Sequence, residues 1–297
     1  MSDDISKNSD SDARTTSGHP LPTLFIPHGG GPCFFMDWTM GPADTWFTLK
    51  DWLATVPSLV GIVPKAMLVV SGHWETRGFA VTGGEHPSLI HDYSGFPAHT
   101  YQLRYPAPGS PSLARRVQGL VSNLGVPVAI DEERGFDHGT FIPLMVAFPE
   151  ANIPVVQLSL DRSLDPALHI EVGKALAPLR REGVLIVGSG MSYHNLRGFF
   201  SGGNAGPSTQ FDAWLTEAVT EHAGASREEK LKTWASAPGG REAHPREEHL
   251  LPLMVAAGAA DGELGRKVFG DRIMGHLISA YSFGEIAATS GARVAAG

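Results

Sequence analysis

The sequence predicts a three-layer α/β domain. Several short runs rich in Val, Ile and Leu do not alternate with polar residues, which is how strands covered on both faces read. Between them lie stretches with apolar residues three and four apart, the mark of amphipathic helices. The two kinds of segment alternate along 297 residues, 42% hydrophobic and 18% charged. Alternation of that kind places a sheet between helical layers.

The first strand is expected at residues 23–27 (TLFIP), stopped by His28-Gly29-Gly30-Gly31-Pro32. A buried strand ending in a glycine turn fits that pattern. A second is expected at 66–70 (AMLVV), ending at Ser71-Gly72-His73-Trp74. A third covers 154–160 (PVVQLSL), and a fourth covers 183–187 (GVLIV) and runs into Gly188-Ser189-Gly190. Helices are expected at 112–124, with Leu113, Val117, Leu120 and Val121 in one stripe, and at 166–181, with Leu168, Ile170, Val172, Leu176 and Leu179. A further helix is expected at 208–223, where Phe211, Trp214, Leu215 and Val219 face together. The polar stretch 223–241, broken by Pro238-Gly239-Gly240, reads as a surface excursion. No repeat at solenoid periods is present.

Three of these strands run into small-residue turns that carry a histidine: His28, His73 and His194, the last in GSGMSYHNL. Ligands of open α/β sheets bind outside the carboxyl ends of strands, so histidines delivered there from separate strands can meet at one point. His249, in HPREEHLLPL, lies at or just before a helix; Pro252 sits in its first turn or kinks a helix begun nearer Pro245. Neutral imidazole suits borderline metals such as Fe(II) and Zn(II), and a catalytic metal keeps positions open. Taken singly, each histidine reads more readily as a turn or core residue than as a ligand, and there is no HExxH, CxxC or HxH spacing; the coincidence of several is what points to a site. His138, beside Asp137 in a glycine-flanked loop, fits either a positioned acid/base or a cap on a turn.

The net charge of −8, with no basic block, argues against nucleic acid and against a polybasic membrane anchor. The single cysteine, Cys33, rules out an internal disulfide framework and a cysteine-rich zinc site, and it fits a small buried residue better than a nucleophile. Residues 1–20 are polar, without an apolar run, and are expected to be a disordered tail rather than a targeting signal. There is no run of 18 apolar residues, so no membrane helix is expected, and the expected location is cytoplasmic. A loose terminus is expected over 286–297.

The motifs PHGGGP, SGHWE, IHDYSGFP, YPAPGSP, GFDHGTFIPL, PVVQLSL, GSGMSYHNLR and EEHLLPL occur in that order. Together they resemble the 4,5-DOPA extradiol dioxygenase family, within the class III extradiol enzymes of the protocatechuate 4,5-dioxygenase β-subunit type. The resemblance covers 21–285 and implies one catalytic domain with a mixed central sheet. It also implies metal ligands His28, His73 and His249, with His244, Glu247 and Glu248 close by in sequence. His138 would be the acid/base histidine, and His194 a further site histidine that completes the coordination or touches substrate. The implied cofactor is Fe(2+), with Zn(2+) able to occupy the same site. The implied partners are a small catechol and O2, and the implied product is a muconic semialdehyde. Tyr93, Phe96, His91 and His99 are candidates for the substrate pocket; Trp74 and Tyr105 fit packing better.

Two other functions use the same residues. A zinc hydrolase would take Glu75, Glu247 or Glu248 as its base. A non-enzymatic member of the fold would only bind a partner. Without coiled-coil heptads, a monomer or homodimer is expected.

Overall fold

The computed structural model describes residues 19–200 and 204–287. Most of the expected N-terminal tail (1–18) and of the expected loose terminus (288–297) lies outside the described residues.

The strands are β1 (Thr23–Pro27), β2 (Ala66–Thr76), β3 (Phe79–Thr82), β4 (Leu89–Ile90), β5 (Val128–Asp131), β6 (Phe136–Asp137), β7 (Val155–Asp161), β8 (Val184–Gly190), β9 (Gly265–Ile273) and β10 (His276–Phe283). Eight form one sheet in the order β5-β3-β7-β2-β8-β1-β10-β9. The central β7, β2, β8 and β1 are mutually parallel. β10 joins β1 antiparallel, β9 joins β10 antiparallel, and β3 joins β7 antiparallel, so the sheet is mixed, as the resemblance implied. The four parallel strands therefore end on one edge, and that edge receives the site.

Side-chain alternation along β8 and β2 shows the three layers directly. Ser189 donates to the Gly139 carbonyl and Ser71 donates to Asp137, both at the start of the helix His138–Ala147. Gly188 and Gly72, one residue away on the opposite face, lie against Pro252 and Glu248–His249, which lead into the helix Leu251–Ala259. Successive residues of a strand face opposite sides. The helix 138–147 thus packs on one face, beside Phe47–Val60, and the helix 251–259 on the other, beside Pro166–Leu176. Every residue of 251–259 (LPLMVAAGA) is buried, which accounts for a helix without a polar face. Each large side chain in it contributes on the order of 1.5–3 kcal/mol of burial.

Several expectations are corrected. β2 does not stop at Val70 but runs to Thr76, so His73 lies within a strand rather than in a turn. Its register against β7 shifts between Val70 and Glu75, and this irregularity frees the His73 region from the ladder. The expected helix 166–181 is two, Pro166–Leu176 and Pro178–Arg181, because Pro178 has no N–H to continue the first. The stretch 223–241 is not merely a surface excursion: Gly224–Lys232 is helical, and Arg227, Leu231 and Trp234 are buried. Arg227 donates to the carbonyls of Ala257, Asp261 and Glu263, capping the end of 251–259. Pro252 sits in the first turn of its helix.

Candidate metal centre

Three histidines converge at the carboxyl edge of the parallel strands. His28 follows β1 directly, and its backbone N–H donates to Gly190 O at the end of β8. His249 precedes the helix 251–259, and its carbonyl accepts from Met191 N just past β8. Any side chain at Gly190 would collide with that carbonyl. Likewise a Cβ on Gly139 would stand 2.9 Å from His73 Cδ2. The small residues of the GSG and DHG motifs are therefore what let the imidazoles close on one another.

The Nε2 atom of His73 lies 3.3 Å from Nε2 of His28 and 3.2 Å from Nε2 of His249. His28 Nδ1 donates to Gly29 O at 2.9 Å, and His249 Nδ1 donates to Glu248 Oε1 at 3.0 Å. Each of those rings therefore turns a bare Nε2 lone pair toward His73, whose Nε2 can donate to only one of them. Burial, followed by repulsion from the neighbouring histidines, holds His28 and His249 far below the usual imidazole range. Burial and then His138 take His73 down to about 3. Neutral rings with converging lone pairs make a cation site. A tetrahedral ion about 2.0–2.1 Å from each nitrogen would separate the nitrogens by about 3.3 Å, so the donor set fits a borderline metal.

Two carboxylates flank this cluster, each shared between one of these histidines and one outside it. Asp92 Oδ1 accepts from His138 Nδ1 at 2.8 Å and from the His138 backbone N–H at 2.9 Å, while Oδ2 lies 3.7 Å from His73 Nδ1. Burial pushes the Asp92 carboxyl up, but these histidine contacts outweigh it and hold it at about 2. On the other side Glu248 Oε1 accepts from His249 and lies 3.6 Å from His194 Nδ1. His194 stacks on His249, with centroids 3.4 Å apart at 14°. His138 packs against His73, centroids 3.9 Å apart.

The remaining candidates separate cleanly. The Tyr93 ring meets His138 edge-on at 5.7 Å and Phe96 at 5.6 Å, with its hydroxyl tied to Thr100 O. Phe96 packs over Gly31 of the glycine turn. His91 sits behind them against Tyr93 and Phe141, and His99 is exposed and bonds Phe35 O. The structure does not bring His99 into contact with the cluster. His244 is buried elsewhere, between Phe211 and Trp234, with Nε2 donating to Ser192 O. Glu247 pairs with Arg241, and Glu75 is held in a two-point bond by Arg246. Trp74 is covered by Arg134, and Tyr105 is buried with its hydroxyl on Phe148 O. Two surface clefts, one of about 560 Å³ along β3 and β5 and one of about 590 Å³ near Arg180, lie away from the histidine cluster.

Sequence reasoning missed Asp92, although it stands in the quoted IHDYSGFP motif; the adjacent Asp137 does not bond the His138 ring. Asp137, the sequence neighbour, is the cap of its own helix: Oδ1 accepts from Thr140 N and Ser71 Oγ, and Oδ2 accepts from Gln157. Burial raises the Asp137 carboxyl. The carboxylate on His138 arrives instead from 46 residues upstream.

A sheet edge that gathers buried, neutral histidines beside a carboxylate-bound one is the kind of site a mononuclear metal enzyme needs. Residues 23–284 match the model of the catalytic LigB subunit of aromatic ring-opening dioxygenase, and the chain belongs to that family. It is 48% identical over 241 residues to a 4,5-DOPA dioxygenase extradiol of Beta vulgaris, covering 80% of this chain and 86% of the relative. It is 40% identical to one from Escherichia coli K12, over 82% of this chain and 86% of that protein. Identity to the dioxygenase tasH of Hapsidospora irregularis is 34%, over 89% and 85%. The crystal structure of an uncharacterised protein of Escherichia coli K12 superposes with a TM-score of 0.69 at 35% identity, covering 89% of this chain and all of that one. The protein is an extradiol ring-opening dioxygenase. Among the described residues, no helix is long and apolar enough to cross a membrane.

Proposed function

We propose that the protein cleaves a small substituted catechol, DOPA-like in size, with both atoms of O2 entering a muconic semialdehyde product. Its catalytic unit is residues 21–285, and Fe(2+) is held by His28, His73 and His249. The observation that carries this reading is the convergence of three neutral imidazoles within 4.8 Å of one another, with the Asp92-bound His138 against one of them. The ferrous ion supplies Lewis acidity toward the diol oxygens and a redox change that zinc, which can occupy the same donors, lacks.

The chain's own residues divide the remaining work. His138, its Nδ1–H committed to Asp92, offers Nε2 to take the proton of a catechol hydroxyl and to return it later. His194, partly exposed at 21%, lies on the solvent side of His249 and contacts substrate or oxygen. Tyr93 and Phe96, packed edge-on against each other beside His138, wall the ring pocket. A zinc hydrolase would need a free carboxylate base, but Glu75 and Glu247 are held by arginines and Glu248 by His249 and Arg246.

Oxygen uptake by protein loaded anaerobically with Fe(II), against a catechol panel that includes DOPA, tests this. Stoichiometric uptake with a yellow product is expected. No uptake across the panel with one iron verified per chain would overturn it.

A further inference from the structure

We propose that Asp92 is the positioning residue for His138, fixing both the orientation of its ring and the nitrogen that carries the proton; this rests on the ring-opening reading above.

The local fold is built to bring the pair together. β4 and β6 are only two residues long and pair in parallel, Leu89 with Phe136 and Ile90 with Asp137. Asp92 follows β4 by two residues and His138 follows β6 directly, so this small ladder sets the two side by side. One oxygen, Oδ1, accepts from both the backbone N–H and the ring Nδ1–H of His138. A ring bonded to the acceptor of its own backbone N–H cannot turn without breaking a bond. Because a carboxylate only accepts, Nδ1 carries the hydrogen and Nε2 carries the lone pair. The ion pairs of Asp92 among the described residues are with His138 and His73; the nearby Arg134 goes to Asp137 instead. The carboxylate charge is therefore left to face the imidazolium that forms when Nε2 takes the catechol proton, and no proton moves to Asp92. A helix-start role for Asp92 alone would use its bond to the His138 backbone and leave the ring bond without purpose.

The test uses full-length protein and two independent readouts. In the zinc-loaded, ¹⁵N-histidine-labelled protein, long-range ¹H–¹⁵N correlations report which His138 nitrogen is protonated. The wild type is expected to show Nδ1–H alone, and Asp92→Ala a mixture of both tautomers at unchanged metal content. In the iron-loaded enzyme, Asp92→Ala is expected to lower kcat by about 100-fold, within the range that one acid/base group supplies, with KM moving less than about threefold. In a His138→Ala background the same substitution is expected to lower kcat by no more than about twofold, since residues acting as one unit are non-additive. Asp92→Asn keeps an oxygen acceptor but no charge; it is expected to retain the tautomer and lose part of the rate, and it serves if the alanine variant does not fold. An unchanged tautomer in Asp92→Ala, or an equal loss of kcat with and without His138, would overturn the proposal. Failure of the wild type to consume O2 overturns the ring-opening reading instead and leaves the tautomer measurement to decide the role of Asp92.

Discussion

The two carboxylate clamps that flank the histidine cluster differ in tightness. On one side Asp92 grips His138 through two bonds to one oxygen, at 2.8 and 2.9 Å, and His138 is nearly buried. On the other side Glu248 bonds firmly to His249 but stands 3.6 Å from His194, whose ring is partly exposed and held by stacking. Glu248 is also drawn outward by Arg246 at 3.2 Å. The first clamp is thus tight toward the histidine outside the cluster and slack toward His73, and the second is the reverse. A proton-transfer residue needs one tautomer in one place, whereas a residue that meets varied substrate or oxygen geometry gains from a loose hold. On the proposed reading, this asymmetry would give His138 the proton transfer and leave His194 free to adapt.

The largest expected effect lies between the clamps. His28→Ala or His73→Ala should lose metal and turnover together, measured by metal analysis after gel filtration and by oxygen uptake; full metal retention would sink the assignment of the ligands. His138→Ala should keep its metal while kcat falls by about 10²–10⁴, and a matching loss from His194→Ala would erase the asymmetry. Glu248→Gln should weaken metal affinity by about 10–100-fold, as outer partners of ligands do, with Asp92→Asn changing it far less. Competition with a chelator ranks the two, and the opposite order would reverse the roles of the clamps.

The smallest effect concerns a histidine outside the centre. Burial holds His244 at about 3, below its ordinary 6.5, so the folded chain stays neutral where the unfolded chain takes a proton. Its contribution to stability is complete above pH 6.5, declines as pH falls below that, and is gone once pH passes about 3. The urea midpoint should therefore drop between pH 7.5 and 5, and less steeply in His244→Gln; parallel slopes would show that other groups govern the acid limb.

Much of the fold was legible because its central strands are buried on both faces and read as unbroken apolar runs. β1 falls where TLFIP placed it, and β8 begins one residue later than GVLIV suggested. The sheet edges were not legible. β9 places exposed Arg266 and Arg272 and half-buried Asp271 among buried residues, and β9 and β10 turn through Met274 and Gly275, both at positive φ. The helices 47–60 and 138–147 contain Pro57 and Pro143, which mask their period. At the site, the glycine turns after β1 and β8 pointed to His28 and His194, whereas His73, expected in a turn, lies inside β2 and still reaches the same cluster. A two-residue ladder such as β4 with β6 has no periodicity at all, and so Asp92 stayed hidden.

By itself the sequence determined that the central strands are buried between two helical layers and that histidines fall at or near their carboxyl ends, because burial on both faces is written locally in unbroken apolar runs. Only the tertiary structure decided which neighbours do what. Among His244, Glu247, Glu248 and His249, spacing is silent, but His244 closes on Ser192 O, Glu247 on Arg241, and Glu248 supports the ring of His249. It likewise gave His138 the distant Asp92 rather than the adjacent Asp137. Side chains adjacent in a chain point apart as often as together, and a hydrogen bond is made where the fold brings donor and acceptor within about 3 Å.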